Sequence, residues 1–150
     1  MPNWCQNQLT VNGATPELRA WLNEGLSFQR MKPVVPADSR SQCPAWGTKW
    51  DLDENEQREA ASELLEIGTA WFNTAWSPPL GALTALSARF PDDTLVLHYH
   101  EPGNGFAGCT VFEDGGCEDE SADEAVEVSR IGREIFGWDF DDDESPEAAA

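Results

Sequence analysis

Residues 94–112, TLVLHYHEPGNGFAGCTVF, hold the clearest structural pattern in the chain. Leu95, Leu97 and Tyr99 occupy every second position, as in a strand with one buried face. Residues 102–105 (Pro-Gly-Asn-Gly) are typical of a turn, and residues 106–112 form a second extended run. The stretch therefore predicts a β-hairpin.

Further strands and loops are predicted on the N-terminal side of this hairpin. Residues 4–12 alternate, with Cys5, Leu9 and Val11 on one face together with Asn7, and Asn12-Gly13 ends the run. Residues 69–76 are rich in aromatic and Thr side chains, which favours a second strand. Shorter extended pieces are expected at 26–31 and 46–52, with a proline-containing loop at 32–45.

Four helices are expected between and after the strands. Their start signals are Thr15-Pro16-Glu17, a capping box at 53–56 that opens a helix over 54–66, Ser77-Pro78-Pro79, and a second capping box at Ser121–Glu124 that leads to Gly137. Strands interleaved with helices in this order predict an α+β fold. We expect a ferredoxin-like sandwich with a mostly antiparallel sheet and helices on one face, plus a C-terminal hairpin, helix and acidic tail. Residues 1–137 form the predicted domain and residues 138–150 the tail.

Acidic side chains are concentrated in the last two thirds of the chain. The net charge is −19, of which successive fifty-residue segments contribute +2, −7 and −14. Such asymmetry indicates a charged partner or an acidic tail. The first predicted cluster contains Asp51, Asp53, Glu54, Glu56, Glu59, Glu63 and Glu66. The second contains Glu113, Asp114, Glu118, Asp119, Glu120, Asp123, Glu124, Asp139, Asp141, Asp142, Asp143 and Glu144.

Charge and motif content exclude several classes of function. An acidic chain repels phosphate, so direct binding to nucleic acid or to an anionic membrane is disfavoured. No phosphate-binding loop, dinucleotide fingerprint or hydrolase motif occurs, so we expect neither enzymatic activity nor a cofactor. The N-terminus has no basic region followed by an apolar stretch, and the four cysteines form no C-x-x-C pair. We therefore expect a cytoplasmic protein with reduced thiols.

Metal sites are only weakly indicated. Asp51, Asp53 and Asn55 match the first three ligand positions of a calcium-binding loop, but Glu56 and Ser62 stand where Gly and Glu are required. His98 and His100 share one strand face and could hold a metal with Cys109, although histidines on a partly exposed sheet face are the commoner case. No bound metal is predicted.

A tryptophan-rich segment admits two interpretations. Aromatic rings beside a cation suit stacking on a nucleotide base, whereas large aromatic side chains more often pack in a core. The possible pocket consists of Trp46, Lys49, Trp50 and Trp76, with Trp71 as a further candidate lining residue.

Four separated segments resemble, in the same order, motifs of the YubB-like family of plasmid and phage proteins. They are residues 1–13 (MPNWC, then Asn7, Leu9, Val11 and Gly13), 46–51 (WGTKWD), 74–79 (TAWSPP) and 99–108 (YHEPG and FAG). The resemblance spans residues 1–112 and implies a ferredoxin-like domain, without implying any catalytic residue. It also implies a setting of conflict between mobile elements and host defences.

Two hypotheses of function follow. The first is a phage- or plasmid-encoded inhibitor, most specifically an anti-CRISPR protein, whose acidic clusters mimic nucleic acid and block the DNA- or RNA-binding channel of a bacterial defence complex. The alternative is a nucleotide- or small-ligand-binding domain, possibly enzymatic, that uses the tryptophan pocket. A plain interaction module, whose charge only maintains solubility, stays open as a third interpretation.

Overall fold

The computed structural model describes residues 3–35, 39–122 and 125–137. Within these residues, five strands form an antiparallel sheet in the order β2-β1-β3-β4-β5, so β2 and β5 are its edges. The strands are β1 (Trp4–Val11), β2 (Thr69–Ala75), β3 (Thr94–Glu101), β4 (Phe106–Glu113) and β5 (Gly116–Ala122). The predicted hairpin is confirmed as β3 and β4, in which Leu97 lies opposite Thr110.

The described residues also form six helices. They are α1 (Pro16–Leu22), α2 (Phe28–Met31), α3 (Ser39–Trp46), α4 (Glu54–Ile67), α5 (Leu80–Arg89) and α6 (Ala125–Phe136). Thr15 caps α1 through its hydroxyl, and Asp53 with Glu56 forms the predicted capping box of α4. The predicted helices over 54–66 and after Ser77-Pro78-Pro79 are confirmed.

The sheet separates two cores of unequal size. On the larger side, Leu9, Leu95 and Leu97 are buried beneath α1 to α5. On the other side, α6 packs over β3 and β4, where Ile131 approaches Ala107. The expected α+β ferredoxin-like sandwich is confirmed, with five helices on one face and the C-terminal helix on the opposite face.

Two segments that lacked a helical pattern are helical in the structure. Residues 26–31, predicted to be extended, contain α2, because the Ser27 hydroxyl accepts a hydrogen bond from the Arg30 N–H and the Asp51 carboxylate accepts from the amide of Phe28. Residues 32–45, predicted to be a loop, contain most of α3. Trp46, at the end of α3, packs edge-on against Phe28 in the larger core, so tertiary packing stabilises both short helices.

Residues 46–52, expected to be extended, form no strand, and the expected helix start at Ser121 is wrong. Trp46 ends α3, and the following residues lead into α4 without pairing to the sheet. Ser121 belongs to β5, which pairs with β4 although its sequence has little strand propensity. Asp123 and Glu124 of the predicted second capping box lie outside the described residues, as does the predicted tail over 138–150. The helix itself ends before Gly137, as expected.

Two of the recognised sequence segments pack directly on each other. The Thr48 hydroxyl donates to the carbonyl of Ala75 over 2.8 Å, and the Ser77 hydroxyl donates to the carbonyl of Gly47. Because these bonds join residues about thirty positions apart, the WGTKWD and TAWSPP segments together fix α3 against the start of α5. Their shared role in this structure is a packing junction.

Thiol modification is expected to distinguish the four free cysteines. Cys43 and Cys117 are exposed, Cys109 is half-buried and Cys5 is fully buried. Burial, reinforced by the charge of Glu101, raises the pKa of the Cys5 thiol to about 12, so little reactive thiolate forms at neutral pH. An aromatic disulfide reagent should modify Cys43 and Cys117 rapidly, and Cys5 only after unfolding in denaturant. Rapid modification of Cys5 in the native protein would contradict this packing.

Candidate functional site

The first predicted acidic cluster divides into structural and solvent-facing carboxylates. Asp51 accepts hydrogen bonds from the Ser27 hydroxyl and from three backbone amides, at 2.8–3.1 Å. Asp53 and Glu56 cap α4. The other members lie along the solvent side of α4 and toward β2, and all but the half-buried Glu63 are exposed. We call them the α4 acidic surface: Glu54, Glu59, Glu63 and Glu66.

The second predicted cluster lies at the opposite edge of the sheet. Glu113 ends β4, Asp114 lies in the turn to β5, and Glu118 and Glu120 project from β5. These four exposed residues are called the β5 acidic edge below. Asp119, between Glu118 and Glu120, has a separate role. The remaining predicted members, Asp123, Glu124, Asp139, Asp141, Asp142, Asp143 and Glu144, lie outside the described residues.

The two acidic surfaces are therefore separate and flank the sheet. Four strand spacings of about 4.8 Å place β2 and β5 roughly 19 Å apart. Within residues 3–35, 39–122 and 125–137, both ion pairs lie on α6, where Arg130 contacts Glu127 and Glu134 at 2.8 Å. No described cation forms a salt bridge with a carboxylate of the α4 acidic surface or the β5 acidic edge.

The structure does not assemble the predicted tryptophan pocket as a unit. Trp46 is 1% exposed, and its indole N–H donates to the carbonyl of Lys32 over 2.8 Å, so it belongs to the core. Trp50 is 41% exposed, with Lys49 Nζ 5.1 Å from its ring centre. Its aromatic neighbour is Trp4, with ring centres 6.4 Å apart.

Trp76 lies in the turn after β2, in a strained backbone conformation. It is exposed and has a φ of +73°, a left-handed value that is rare for a bulky residue. Its N–H donates to the carbonyl of Asn3 over 2.8 Å, which stabilises this turn after β2.

A groove between α4 and the edge strand β2 was not predicted. It encloses about 540 Å³ and is lined by Trp71 and by Glu56, Glu59 and Glu63. The main-chain N–H of Trp71, on the edge strand β2, donates to Glu63 Oε1 over 3.2 Å. Ala70 and Phe72, on either side of Trp71, are buried, so the alternation of residues along β2 is a sequence signal that could have placed Trp71 on the exposed face.

His98, Cys109 and Glu120 occupy neighbouring register positions on the α6 side of the sheet. Cys109 pairs with His98 on β3 and with Glu120 on β5, and all three line a cavity of about 290 Å³. Burial lowers the pKa values of His98 and His100. His100 is buried, stacks on Phe136 and contacts Gln6 Oε1 through Nδ1 at 3.1 Å. No group of three metal-ligating side chains suitable for a metal ion occurs in the described part of the chain.

A third cavity lies between the start of α5 and the β3–β4–β5 region. It encloses about 590 Å³ and is lined by Ser77, Leu80, Tyr99, Phe106 and Asp119, with further contributions from Pro78, Asn104 and Ser121. The sequence pattern predicts Tyr99 on a buried strand face and does not distinguish Asp119 from the other acids of its cluster. Their direct hydrogen bond, 2.8 Å long, joins residues on β3 and β5, which no local pattern could reveal.

The sheet order and two-sided packing define a ferredoxin-like α+β domain. A family model described as "Ferredoxin-like domain in Api92-like protein" matches residues 45–141, which is most of the chain. The chain belongs to this family. No curated protein and no solved structure matches it. None of the helices in the described residues is long and apolar enough to span a bilayer.

Proposed function

We propose that this protein is a non-enzymatic inhibitor that occupies the nucleic-acid-binding channel of a bacterial defence complex. The specific form of the proposal is a phage- or plasmid-encoded anti-CRISPR protein of YubB-like type, acting in the cytoplasm of its bacterial host. Its partner is a nucleic-acid-binding protein or effector complex, and it binds neither nucleic acid nor membranes. The observation that carries the proposal is the pair of solvent-facing carboxylate surfaces on α4 and β5, with which no cation of the described residues forms a salt bridge.

Electrostatics explains why such surfaces suit a cationic channel. Duplex DNA carries one negative charge per about 1.7 Å of its axis, and channels that bind it present arginine and lysine. Carboxylates accept charge-assisted hydrogen bonds from these side chains, as phosphates do. Opposite fields also accelerate association, by about 10- to 1000-fold at low ionic strength. Uncompensated acids repel one another, so a partner that neutralises them gains binding energy that an ion-paired surface could not provide.

Charge reversal on the acidic surfaces tests the proposal. We expect the four-site variant Glu54→Lys, Glu59→Lys, Glu118→Lys and Glu120→Lys to weaken inhibition at least about 100-fold, because attraction becomes repulsion at four positions. The measurement is a gel-shift assay in which a guide-loaded CRISPR effector binds target DNA in the presence of this protein.

A matched control separates surface location from total charge. Glu17→Lys with Glu24→Lys changes exposed acids in the near-neutral N-terminal third, and should be compared with Glu118→Lys and Glu120→Lys alone. Only the β5 pair is expected to lose inhibition. Equal loss in both pairs, or inhibition that is insensitive to salt, would contradict the proposal. Reversal of Asp141, Asp142 and Asp143 tests the C-terminal residues in the same assay.

A second candidate function rests on the exposed Trp4–Trp50 pair. Two half-exposed indoles with the Lys49 ammonium above one ring are able to stack on a base or another flat ligand. If the protein is instead a nucleotide- or small-ligand-binding domain, its activity should survive charge reversal. The activity should then be lost when Trp50 is replaced by Ala. The charge-reversal assay therefore distinguishes the two functions.

A further inference from the structure

Asp119 differs from the four residues of the β5 acidic edge because buried groups orient its carboxylate. Tyr99 Oη donates to Asp119 Oδ1 over 2.8 Å, and Thr110 Oγ1 donates to the same oxygen over 2.6 Å. Both donors are nearly inaccessible to solvent. Because these two bonds use Oδ1, and no donor within the described residues reaches Oδ2, the second oxygen is left to accept from a ligand.

The position of Tyr99 depends on the absence of a side chain at residue 108. Gly108 lies opposite Tyr99 in the β3–β4 ladder, and a Cβ there would be 2.5 Å from Tyr99 Oη and 2.7 Å from the carbonyl oxygen of Glu120. Burial, together with the hydrogen bond to Asp119, raises the pKa of Tyr99, so its hydroxyl retains the proton that it donates. The carboxylate is thus held in advance of binding, which lowers the ordering cost of an interaction.

The cavity in front of Asp119 has aromatic and apolar walls. Phe106 and Tyr99 meet edge-on with ring centres 6.1 Å apart, and Leu80 also lines the cavity. The backbone at the start of α5 packs closely on Gly47. A Cβ added to Gly47 would lie only 3.0 Å from the Leu80 nitrogen. The negative carboxylate, rather than an open helix N-terminus, therefore determines which charge the cavity attracts.

We propose that this cavity binds the guanidinium group of an arginine side chain of the partner protein. Asp119 Oδ2 accepts its N–H groups, and the ring of Phe106 packs against its plane. Arginine suits the site better than lysine because its planar group stacks on aromatic rings while it donates to a carboxylate. The inference rests on the proposed function, in which the partner presents arginine to nucleic acid, and names the contact by which one such arginine is held.

The test compares two carboxylates that neighbour each other on β5. Asp119→Asn and Glu118→Gln each remove one negative charge. In the β4–β5 ladder Asp119 pairs with Thr110 and Glu118 pairs with Val111, so the Asp119 and Glu118 side chains lie on opposite faces of the sheet. The probes are acetyl-Gly-Arg-Gly-amide and its lysine counterpart. Binding to the full chain is followed by NMR, from the amide shifts of residues 106 and 119.

We expect the arginine peptide to bind saturably and Asp119→Asn to weaken it about tenfold, whereas Glu118→Gln changes it less than about twofold. The lysine peptide should bind several-fold more weakly than the arginine peptide. Tyr99→Phe should give an intermediate loss of about threefold, because Asp119 then keeps one of its two orienting bonds. In the Asp119→Asn variant the side-chain amide oxygen still accepts from Tyr99 and Thr110, so this variant is expected to fold.

Failure of this inference is distinguishable from failure of the proposed function. Equal weakening by Asp119→Asn and Glu118→Gln, or equal affinity for the two peptides, would overturn the arginine site and leave inhibition by acidic surfaces intact. The absence of saturable arginine binding would overturn it as well. Arginine binding that depends on Asp119, in a protein whose charge-reversal variants still inhibit, would instead support the site and reject the proposed function.

Discussion

Gly81→Ala should lower the free energy of unfolding by about 3 kcal/mol, among the largest effects expected of any single methyl group in this protein. A Cβ added to Gly81 would overlap the carbonyl oxygen of Ala45. It would also lie 3.0 Å from the carbonyl carbon of Ala45 and 3.1 Å from the carbonyl carbon of Trp46. These neighbours are backbone atoms, so no rotamer change relieves the overlap and α3 must move away from α5. The gain in helix propensity from Gly to Ala, about 1 kcal/mol, is too small to offset this.

The measurement is equilibrium denaturation in urea, with Gly116→Ala as the matched control. Gly116 begins β5, and a Cβ there meets only the Glu113 carbonyl oxygen at 3.5 Å, an ordinary contact. We expect that control to lie within about 0.5 kcal/mol of the unmodified protein. If Gly81→Ala were as stable as Gly116→Ala, the close packing of α3 against the start of α5 would be wrong.

Asp51→Ala is expected to destabilise the fold by about 3 kcal/mol. The substitution removes the acceptor of four hydrogen bonds, three of them from backbone amides at the start of α2 and at Leu52. The abandoned donors include the buried Ser27 hydroxyl and the amide of Phe28, which is itself fully buried. Unsatisfied, partly buried donors are costly, so the loss exceeds that of an ordinary surface charge.

Glu54→Ala, on the same acidic segment, is the control for Asp51→Ala. Glu54 is exposed in the first turn of α4, and its removal should cost well under about 1 kcal/mol through the helix dipole. Thermal and urea unfolding should separate the two variants clearly. Similar stabilities would show that Asp51 is a surface acid available to a partner, as its sequence context alone suggested.

Local pattern predicted the parts of the fold that depend on near neighbours. Alternation over 94–112 predicted the β3–β4 hairpin, because the buried face of each strand repeats every two residues. The capping box at 53–56 predicted the start of α4, since both hydrogen bonds form within one turn. The ferredoxin-like class followed from the order of these elements.

The remaining elements are stabilised by contacts that sequence does not display. The start of α2 is stabilised by Asp51, more than twenty residues away, and α3 ends where Trp46 enters the core beside Phe28. The edge strand β5 has the composition of an acidic loop and is ordered by pairing with β4. Charged residues on an edge strand also oppose sheet-to-sheet aggregation, which is what the solubility interpretation requires of Glu118 and Glu120.

The candidate sites likewise contain some residues that local sequence spacing places correctly and others whose roles depend on long-range contacts. Helical spacing is sufficient to place Glu59, Glu63 and Glu66 near one another on α4. It cannot separate Asp119 from Glu118, because the difference arises from Tyr99 and Thr110 on two other strands. Trp46 and Trp50 are likewise indistinguishable by type, although one is core and the other half-exposed.

Release of a captured partner by DNA tests the central claim most directly. The 150-residue protein is immobilised and exposed to lysate of a bacterium that encodes a CRISPR effector. It is washed at about 50 mM salt and then treated with duplex DNA or with about 500 mM salt. We expect the effector to be retained in the first wash, to be released by either treatment, and not to be retained by the four-site charge-reversal variant. An effector that stays bound through both treatments, or that the reversed variant holds equally well, would contradict an acidic surface that takes the place of nucleic acid.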